Sequence, residues 1–288
     1  MAKKKSNKRA EPQQLGELLR AGPDFRLSES DTGATPGFAG GKKAGQAALA
    51  AGSVRLSDLQ ERLTAAARGG STRSALLVIQ GMDTAGKGGI VKHVVGACDP
   101  EGLKVTAFKA PTAEERAHDF LWRVRPRLPE PGQISVFDRS HYEDVLIVRV
   151  HGLVPRATWS RRYATINRFE QRVVDDGVAV VKVMLNISSA EQKRRLRRRL
   201  ERPDKWWKYN PEDLVERALW DSYQQAYQDV ITRCSTAAAP WYVVPADHKW
   251  YARWAVQQLL VDALEEIDPQ WPPPAFDVAE EKARLARS

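Results

Sequence analysis

The stretch that most restricts this chain is a short apolar run, "ALLVIQ" at 75–80, that passes directly into "GMDTAGKGG" at 81–89. An apolar run of that length flanked by glycines fits a strand buried on both faces of a parallel sheet. Gly81, Gly86 and Lys87 fit the spacing G-x-x-x-x-G-K, and "GKGGIVKHVVGAC" continues as a helix. Strand, glycine turn and helix together form the context in which such a loop turns its backbone N–H groups toward phosphate. The competing reading is a tight strand-to-helix turn with an incidental lysine. One position departs from the pattern: a hydroxyl residue that would bind a metal is expected after the lysine, and Gly88 stands there.

The rest of the chain supports a sheet of this kind. Strands are expected at "LKVTAF", "QISVFD", "VAVVKVMLNI" and "WYVVPA". Helices are expected at 53–70, over "TAEERAHDFLWRVR" with Thr112 and Glu115 as a capping box, from Pro155 to Gly177, and over "KWYARWAVQQLLVDALEEI". Alternation of this sort implies an α/β fold, a three-layer α/β/α sandwich with a parallel sheet and right-handed crossovers. Residues 1–45 read as a flexible basic tail and extended arm, 46–272 as the folded domain, and 273–288 as a C-terminal tail. There is no apolar run long enough for a membrane span and no apolar segment behind the basic N-terminus, so cytoplasm is the expected compartment. Cys98 and Cys234 lack metal or redox spacing, and the five histidines show no metal spacing. A net charge of +9 in 288 residues favours polyanionic partners without choosing among them.

Two further stretches carry chemistry. "ISVFDRSHYED" at 134–144 ends an apolar strand in Asp138, followed by Arg139, where α/β sheets bind ligands. A strand-terminal Asp is also a common helix cap. With Gly88 lacking a hydroxyl, Asp83 and Asp138 become candidates for holding a hard cation against a phosphate chain. Asp83 could instead act as a general base. "SSAEQKRRLRRRLERPDKWWKYNPEDL" at 188–214 places Arg195, Arg199 and Arg202 on one helix face. Like charges at that spacing oppose one another, so the segment reads as a lid, about 190–215, that closes on phosphates. A solvated basic face is the plainer alternative. Trp206 and Trp207 could stack on a base or anchor the lid.

Taken together, "GMDTAGKGG", "FDRSHYEDVLIVRVHGLVP", "RRLERPDKWWKYNPEDLVERALWDSYQQAY" and "APWYVVPADHKWYARWAV" resemble the type 2 polyphosphate kinases, over roughly residues 25–272. "TPGF", "FKAPTAEERAHDFLWR" and "RSHYEDVL" further resemble their one-domain subgroup that accepts nucleoside mono- and diphosphates. The resemblance implies a P-loop kinase domain that transfers phosphate between inorganic polyphosphate and adenine or guanine nucleotides. It implies magnesium, with manganese as a substitute, at Asp83 and Asp138, and charge neutralisation by Lys87 and Arg139. Gly81, Met82, Thr84, Ala85, Gly86, Gly88 and Gly89 would line the phosphate cradle. Arg195, Arg199 and Lys208 would grip the phosphate chain, with Lys109 and Arg123 as further contacts. A homo-oligomer, dimer or tetramer, is expected at the family level. Where the subgroup often carries an acidic residue and an Asn, this chain has Gly88 and Asp138; an Asp at the second position is shared with the wider family. Two other functions fit the same residues: an ATP-dependent nucleoside monophosphate kinase, and a non-catalytic module that binds nucleic acid or another polyanion.

Overall fold

The computed structural model describes residues 15–288; the basic N-terminal tail expected before them lies outside the described residues. Five strands are β1 (Ser74–Gln80), β2 (Leu103–Ala107), β3 (Ile134–Asp138), β4 (Val178–Asn186) and β5 (Trp241–Pro245). They form one parallel sheet in the order β2-β3-β1-β4-β5, with Val78 opposite Phe137 on one side and Lys182 on the other. Every residue of β1 is buried, as its uninterrupted apolar sequence requires in a sheet covered on both faces.

The helices in chain order are α1 (Leu15–Leu19), α2 (Lys42–Arg68), α3 (Lys87–His93), α4 (Ala113–Ala117), α5 (Ile147–Val150), α6 (Arg156–Asp175), α7 (Ser189–Leu200), α8 (Glu212–Ala218), α9 (Trp220–Cys234), α10 (Lys249–Ile267) and α11 (Val278–Leu285). One layer is built on α10 packed against α2 and α3, the other on α6 packed against α9, with the sheet between them. The α/β class expected from the alternating pattern is the one observed. β1 connects toward β2 while its neighbour β4 connects the other way to β5. Their C-terminal ends therefore open a crevice of the kind in which such sheets bind ligands.

Four stretches differ from the sequence expectation. α2 begins at Lys42, about three turns before the expected start. The glycines of the added turns are a packing device: a Cβ at Gly45 would collide with the Trp250 ring, and one at Gly52 with the Gln257 amide. Gln257 instead donates to Ser53 Oγ at 3.0 Å. The expected helix over 112–125 is interrupted. Its capping box forms, Glu115 N–H to Thr112 Oγ1 at 3.2 Å and Thr112 N–H to Glu115 at 2.9 Å, but α4 ends after five residues. Asp119, held by Arg125 at 2.9 and 3.0 Å, accepts the Leu121 N–H and starts a new turn.

The arm, residues 15–41, is packed rather than loose. Leu15, Leu19, Ala21 and Leu27 are buried, Ala21 N–H donates to Trp241 O at 2.9 Å, and Arg20 bridges Tyr242 antiparallel at the β5 edge. The arm then reaches the C-terminal ends of the strands, where Asn186 donates to Ser30 Oγ (2.6 Å) and Thr32 to Asp247 (2.9 Å). At the other terminus, Trp271 meets Arg62 and Pro272 lies on Gly69, and α11, capped by Asp277, follows in the segment expected as a tail. Among the described residues no helix is long and apolar enough to cross a membrane.

Because Gly45 and Gly52 set the approach of α2 to α10, Gly45→Val is expected to destabilise the fold by about 1–3 kcal/mol through overpacking. Chemical denaturation compared with a control at exposed Gly22, Gly22→Ala, where a Cβ meets nothing within 4 Å, measures the difference, and an unchanged midpoint would contradict the packing assignment.

Candidate active site

The β1–α3 loop has a backbone that ordinary residues adopt reluctantly. Gly81 has φ 152°, Thr84 φ 65° and Gly86 φ 126°. A side chain at Gly81 would come within 2.8 Å of Leu185 O on β4, so this glycine is fixed by a close approach as well as by its torsion. Thr84 is one of three non-glycine residues with positive φ among those described; another, Arg139 (φ 64°), faces the same site. Strained backbone of this sort persists only where neighbours hold it. Lys87 Nζ donates to Gly81 O at 2.6 Å and Met82 O at 3.3 Å, and lies 3.9 Å from Asp83 Oδ1. Burial lowers its pKa.

β3 delivers Asp138 beside this loop, since its register pairs Asp138 with Ile79. The chain then reverses at Arg139, whose N–H returns to Ile79 O at 3.1 Å and whose guanidinium donates to Asp83 Oδ1 at 2.8 Å. Burial alone would raise the Asp83 pKa, but Lys87 and Arg139 outweigh it and hold the carboxyl below its ordinary value. Asp83 is therefore ionised at neutral pH. Both cations use Oδ1, and Oδ2 has no hydrogen-bond donor among the described residues. The segment after Arg139 is anchored from below. Gln80 donates to Ser140 Oγ (3.1 Å), and Glu170 Oε1 accepts from Tyr142 Oη (2.8 Å) and meets His141 Nε2 (3.2 Å). Lys182, fully buried in β4, donates to Glu170 (2.6 Å), Tyr142 Oη (2.8 Å) and Cys234 O (2.7 Å), so its three protons are all placed.

Two cavities open at the loop. The larger, about 570 Å³, is lined by Asp83 to Gly89 and Asp138, by Arg198, Arg199, Arg202, Lys205 and Lys208 of the 188–214 segment, and by Lys92, Lys249 and Arg253. The smaller, about 210 Å³, shares Asp83 with the larger and is lined further by Gly81, Met82, Arg139, Glu143, Asp213, Glu216, Tyr223 and Tyr227. Most of the residues singled out in the sequence thus converge on these two spaces. Lys109 and Arg123 line neither. Lys109 is exposed, and Arg123 is buried on Lys109 O (2.8 Å), Glu115 (3.3 Å) and the Phe108 ring. Arg195 touches the larger cavity but is 3% exposed and bonded to backbone carbonyls. Trp206 and Trp207 remain exposed, each with its indole N–H on a nearby carbonyl. The mutual repulsion expected along the 188–214 segment is relieved within the protein: Glu191 pairs with Arg194 and Arg195, Asp204 with Arg202 and Lys205, and Asp213 with Arg199. A side chain at Gly88 would meet nothing within 4 Å, so the absent hydroxyl is not a matter of space.

Sequence reasoning missed Glu143, which burial pushes above its ordinary pKa, although the quoted stretch contained it. It also missed Lys249 and Arg253, whose i, i+4 spacing in "HKWYARW" puts both on one face of α10.

Comparison with known proteins decides the lineage. The family model for polyphosphate kinase 2 (PPK2) matches residues 40–272. The chain is 44% identical over 265 residues to the AMP/ADP-polyphosphate phosphotransferase of Meiothermus ruber, covering 91% of this chain and 97% of that protein. It is 42% identical over 230 residues to the ADP-polyphosphate phosphotransferase of Rhodopseudomonas palustris, covering 76% and 78%. The crystal structure of polyphosphate kinase 2 from Arthrobacter aurescens TC1 superimposes with a TM-score of 0.94 at 55% identity, covering 96% of this chain and 98% of that one. The chain belongs to the polyphosphate kinase 2 family. The resemblance read from its motifs, and the α/β fold with it, are borne out.

In this PPK2 chain, partial burial, together with the nearby Arg195, depresses Lys249 to a pKa of about 8. The ammonium is therefore complete below that value and lost as pH rises through it. Apparent affinity for inorganic polyphosphate is expected to weaken several-fold between about pH 7 and pH 9. Lys249→Arg should flatten that dependence, because guanidinium stays charged. Titration of both proteins at fixed ionic strength measures it, and identical profiles would remove Lys249 from the phosphate path.

Proposed function

We propose that this protein catalyses direct phosphoryl transfer between inorganic polyphosphate and a nucleoside mono- or diphosphate. The observation that carries the reading is the cavity of about 570 Å³. It joins a glycine-rich loop, two carboxylates and basic side chains from the loop, the 188–214 segment and α10. Phosphoryl transfer demands positioning and charge neutralisation more than covalent chemistry. The cavity's composition suits a flexible polyanion, held by the electrostatics that bind nucleic-acid backbones. The names of the relatives support the substrates: AMP/ADP-polyphosphate phosphotransferase and ADP-polyphosphate phosphotransferase.

In this reading the phosphate chain occupies the larger cavity and the nucleotide the smaller one. The carboxylates and phenols of Glu143, Asp213, Glu216, Tyr223 and Tyr227 suit the hydrogen-bond donors of ribose and base and repel a second phosphate chain. Asp83 lines both cavities, and Arg139, bonded to it, lines the smaller. A terminal phosphate oxygen of the nucleotide attacks the end phosphorus of the chain in line. The bridging P–O bond breaks, and the shortened polyphosphate leaves with the electron pair. Lys87 and Arg139 exchange their present partners, Gly81 O and Asp83, for oxygens of the transferred group. Arg199, Lys208, Lys249 and Arg253 neutralise the remainder of the chain.

Asp83 and Asp138 fit a magnesium or manganese ion. Among the described residues no three His, Cys, Asp or Glu side chains cluster to cage a metal, yet magnesium is ordinarily held by one or two carboxylates, with substrate phosphates and water completing its shell. Ionised Asp83 with its uncommitted Oδ2, and Asp138 in the same cavity, supply those two. When bound, the ion would polarise phosphoryl oxygens and offset developing charge. A cytoplasmic setting and a homo-oligomer, dimer or tetramer, complete the proposal.

Incubation of the protein with magnesium, long-chain polyphosphate and AMP or ADP, with no ATP present, is expected to yield ADP or ATP. No product would refute the reading in favour of an ATP-dependent kinase or a binding module. Asp83→Ala should cut kcat by about a hundredfold or more while the protein stays folded, and Asp138→Asn should act in the same direction. Full activity in both variants would dismiss the metal assignment.

A further inference from the structure

The first two turns of α7 lie behind the phosphate loop. A loop that turns its N–H groups toward an anion turns carbonyls the other way, and those carbonyls need donors. Gln192 Nε2 donates to Asp83 O at 3.1 Å; Arg195 Nη1 donates to Thr84 O at 2.9 Å and Ala85 O at 2.7 Å. Three consecutive loop carbonyls therefore end on residues i and i+3 of one helix face. The second Arg195 nitrogen, Nη2, donates to Ala246 O and Asp247 O just past β5, and Nε donates to Glu191 at 2.6 Å. All five guanidinium N–H groups have acceptors, four of them main-chain carbonyls on two separate segments. No donor remains for a phosphate oxygen.

We infer that Arg195, assisted by Gln192, is a positioning residue: it clips the strained loop at Thr84 into its anion-binding shape and ties it to the end of β5, rather than gripping the phosphate chain. A planar fork with two donors on each terminal nitrogen spans both carbonyl pairs; an ammonium with three protons on one atom does not. The strain at Thr84 (φ 65°) is what the clip holds in place. The grip expected of Arg195 passes to Arg198, Arg199 and Arg202 farther along the segment, which line the same cavity. The inference rests on reading residues 81–89 as the phosphate loop. Its first test needs no substrate and so separates its failure from failure of the proposed activity.

Amide hydrogen exchange of the substrate-free protein is measured for Arg195→Lys, Arg195→Met and Gln192→Leu. Exchange in residues 82–89 should rise about tenfold or more in both Arg195 variants and less in Gln192→Leu. With polyphosphate and ADP, kcat should fall by on the order of a hundredfold in both Arg195 variants, the lysine giving no rescue. The slope of log affinity for polyphosphate against log salt should match that of the unaltered protein. A phosphate-gripping arginine would behave otherwise: Arg195→Lys would retain most activity, Arg195→Met would lower the salt slope by about one, and loop exchange would stay put. That pattern overturns the inference. Should the Arg195 variants not fold, Gln192→Leu decides. It removes no charge, so lower kcat with faster loop exchange supports the clip, and unchanged values of both overturn it.

Discussion

The geometry of the site depends on one backbone constraint. Residues 81–89 can face an anion with their N–H groups only if their carbonyls face the protein, and every such carbonyl must find a donor inside it. The chain meets that demand from two directions, and a third neighbour fixes the turn. Lys87 folds back onto Gly81 O and Met82 O, α7 supplies Gln192 and Arg195 to the next three carbonyls, and β4 brings Leu185 O so close to Gly81 that no side chain fits. This explains why the loop follows the central strand. β1 is the central strand, with two strands on either side, and β4 beside it brings Leu185 against the turn.

The second half of the site is held by a buried charge pair that is costly by itself. Lys182 and Glu170 are both withdrawn from water, and ion pairs of that kind are weak evidence for stability. Their arrangement does something else. Glu170 also takes Tyr142 Oη and His141, two residues just past Arg139, so the chain cannot slide where it reverses at φ 64°. Burial alone would raise the Glu170 pKa; Lys182 and His141 overcome it and keep the carboxylate ionised. A hydrophobic replacement would fill the volume but leave the Asp138–Asp144 segment without its anchor.

The sequence made the sheet legible because a strand buried on both faces must be written as an apolar run. All five strands and the helices α6 and α10 lie where those runs and the helix punctuation put them. The site was legible at Asp83, Lys87, Asp138 and Arg139 because each stands at a strand end or in a glycine turn. What escaped depends on partners distant in sequence. Gly45 and Gly52 look like breakers until Trp250 and Gln257 are placed against them. Arg195 shows its charge in the sequence but not the carbonyls around it. Lys109 and Arg123 stand in a stretch that resembles the family, yet Arg123 is consumed in closing that stretch on itself. Glu143 was one residue type among several in a rich motif, and only burial distinguishes it.

The distribution of charge inside the larger cavity gives the polyanion reading its strongest physical support. Among the described residues, Arg199, Arg202 and Lys205 already have carboxylate partners, whereas Lys92, Arg198, Lys208, Lys249 and Arg253 have none within salt-bridge distance. Lys249 and Arg253 are held below their ordinary pKa values, first by burial and then by the nearby Arg195, so an anion that enters the cavity relieves both. A nucleic-acid groove would need room for bases, and the aromatic rings of Trp206 and Trp207 sit on the exposed side of the segment with their N–H groups already spent. The ligand that relieves such a cavity is narrow, flexible and charged along its whole length. A chain of phosphates meets all three conditions, and a single nucleotide triphosphate would leave part of the wall unneutralised.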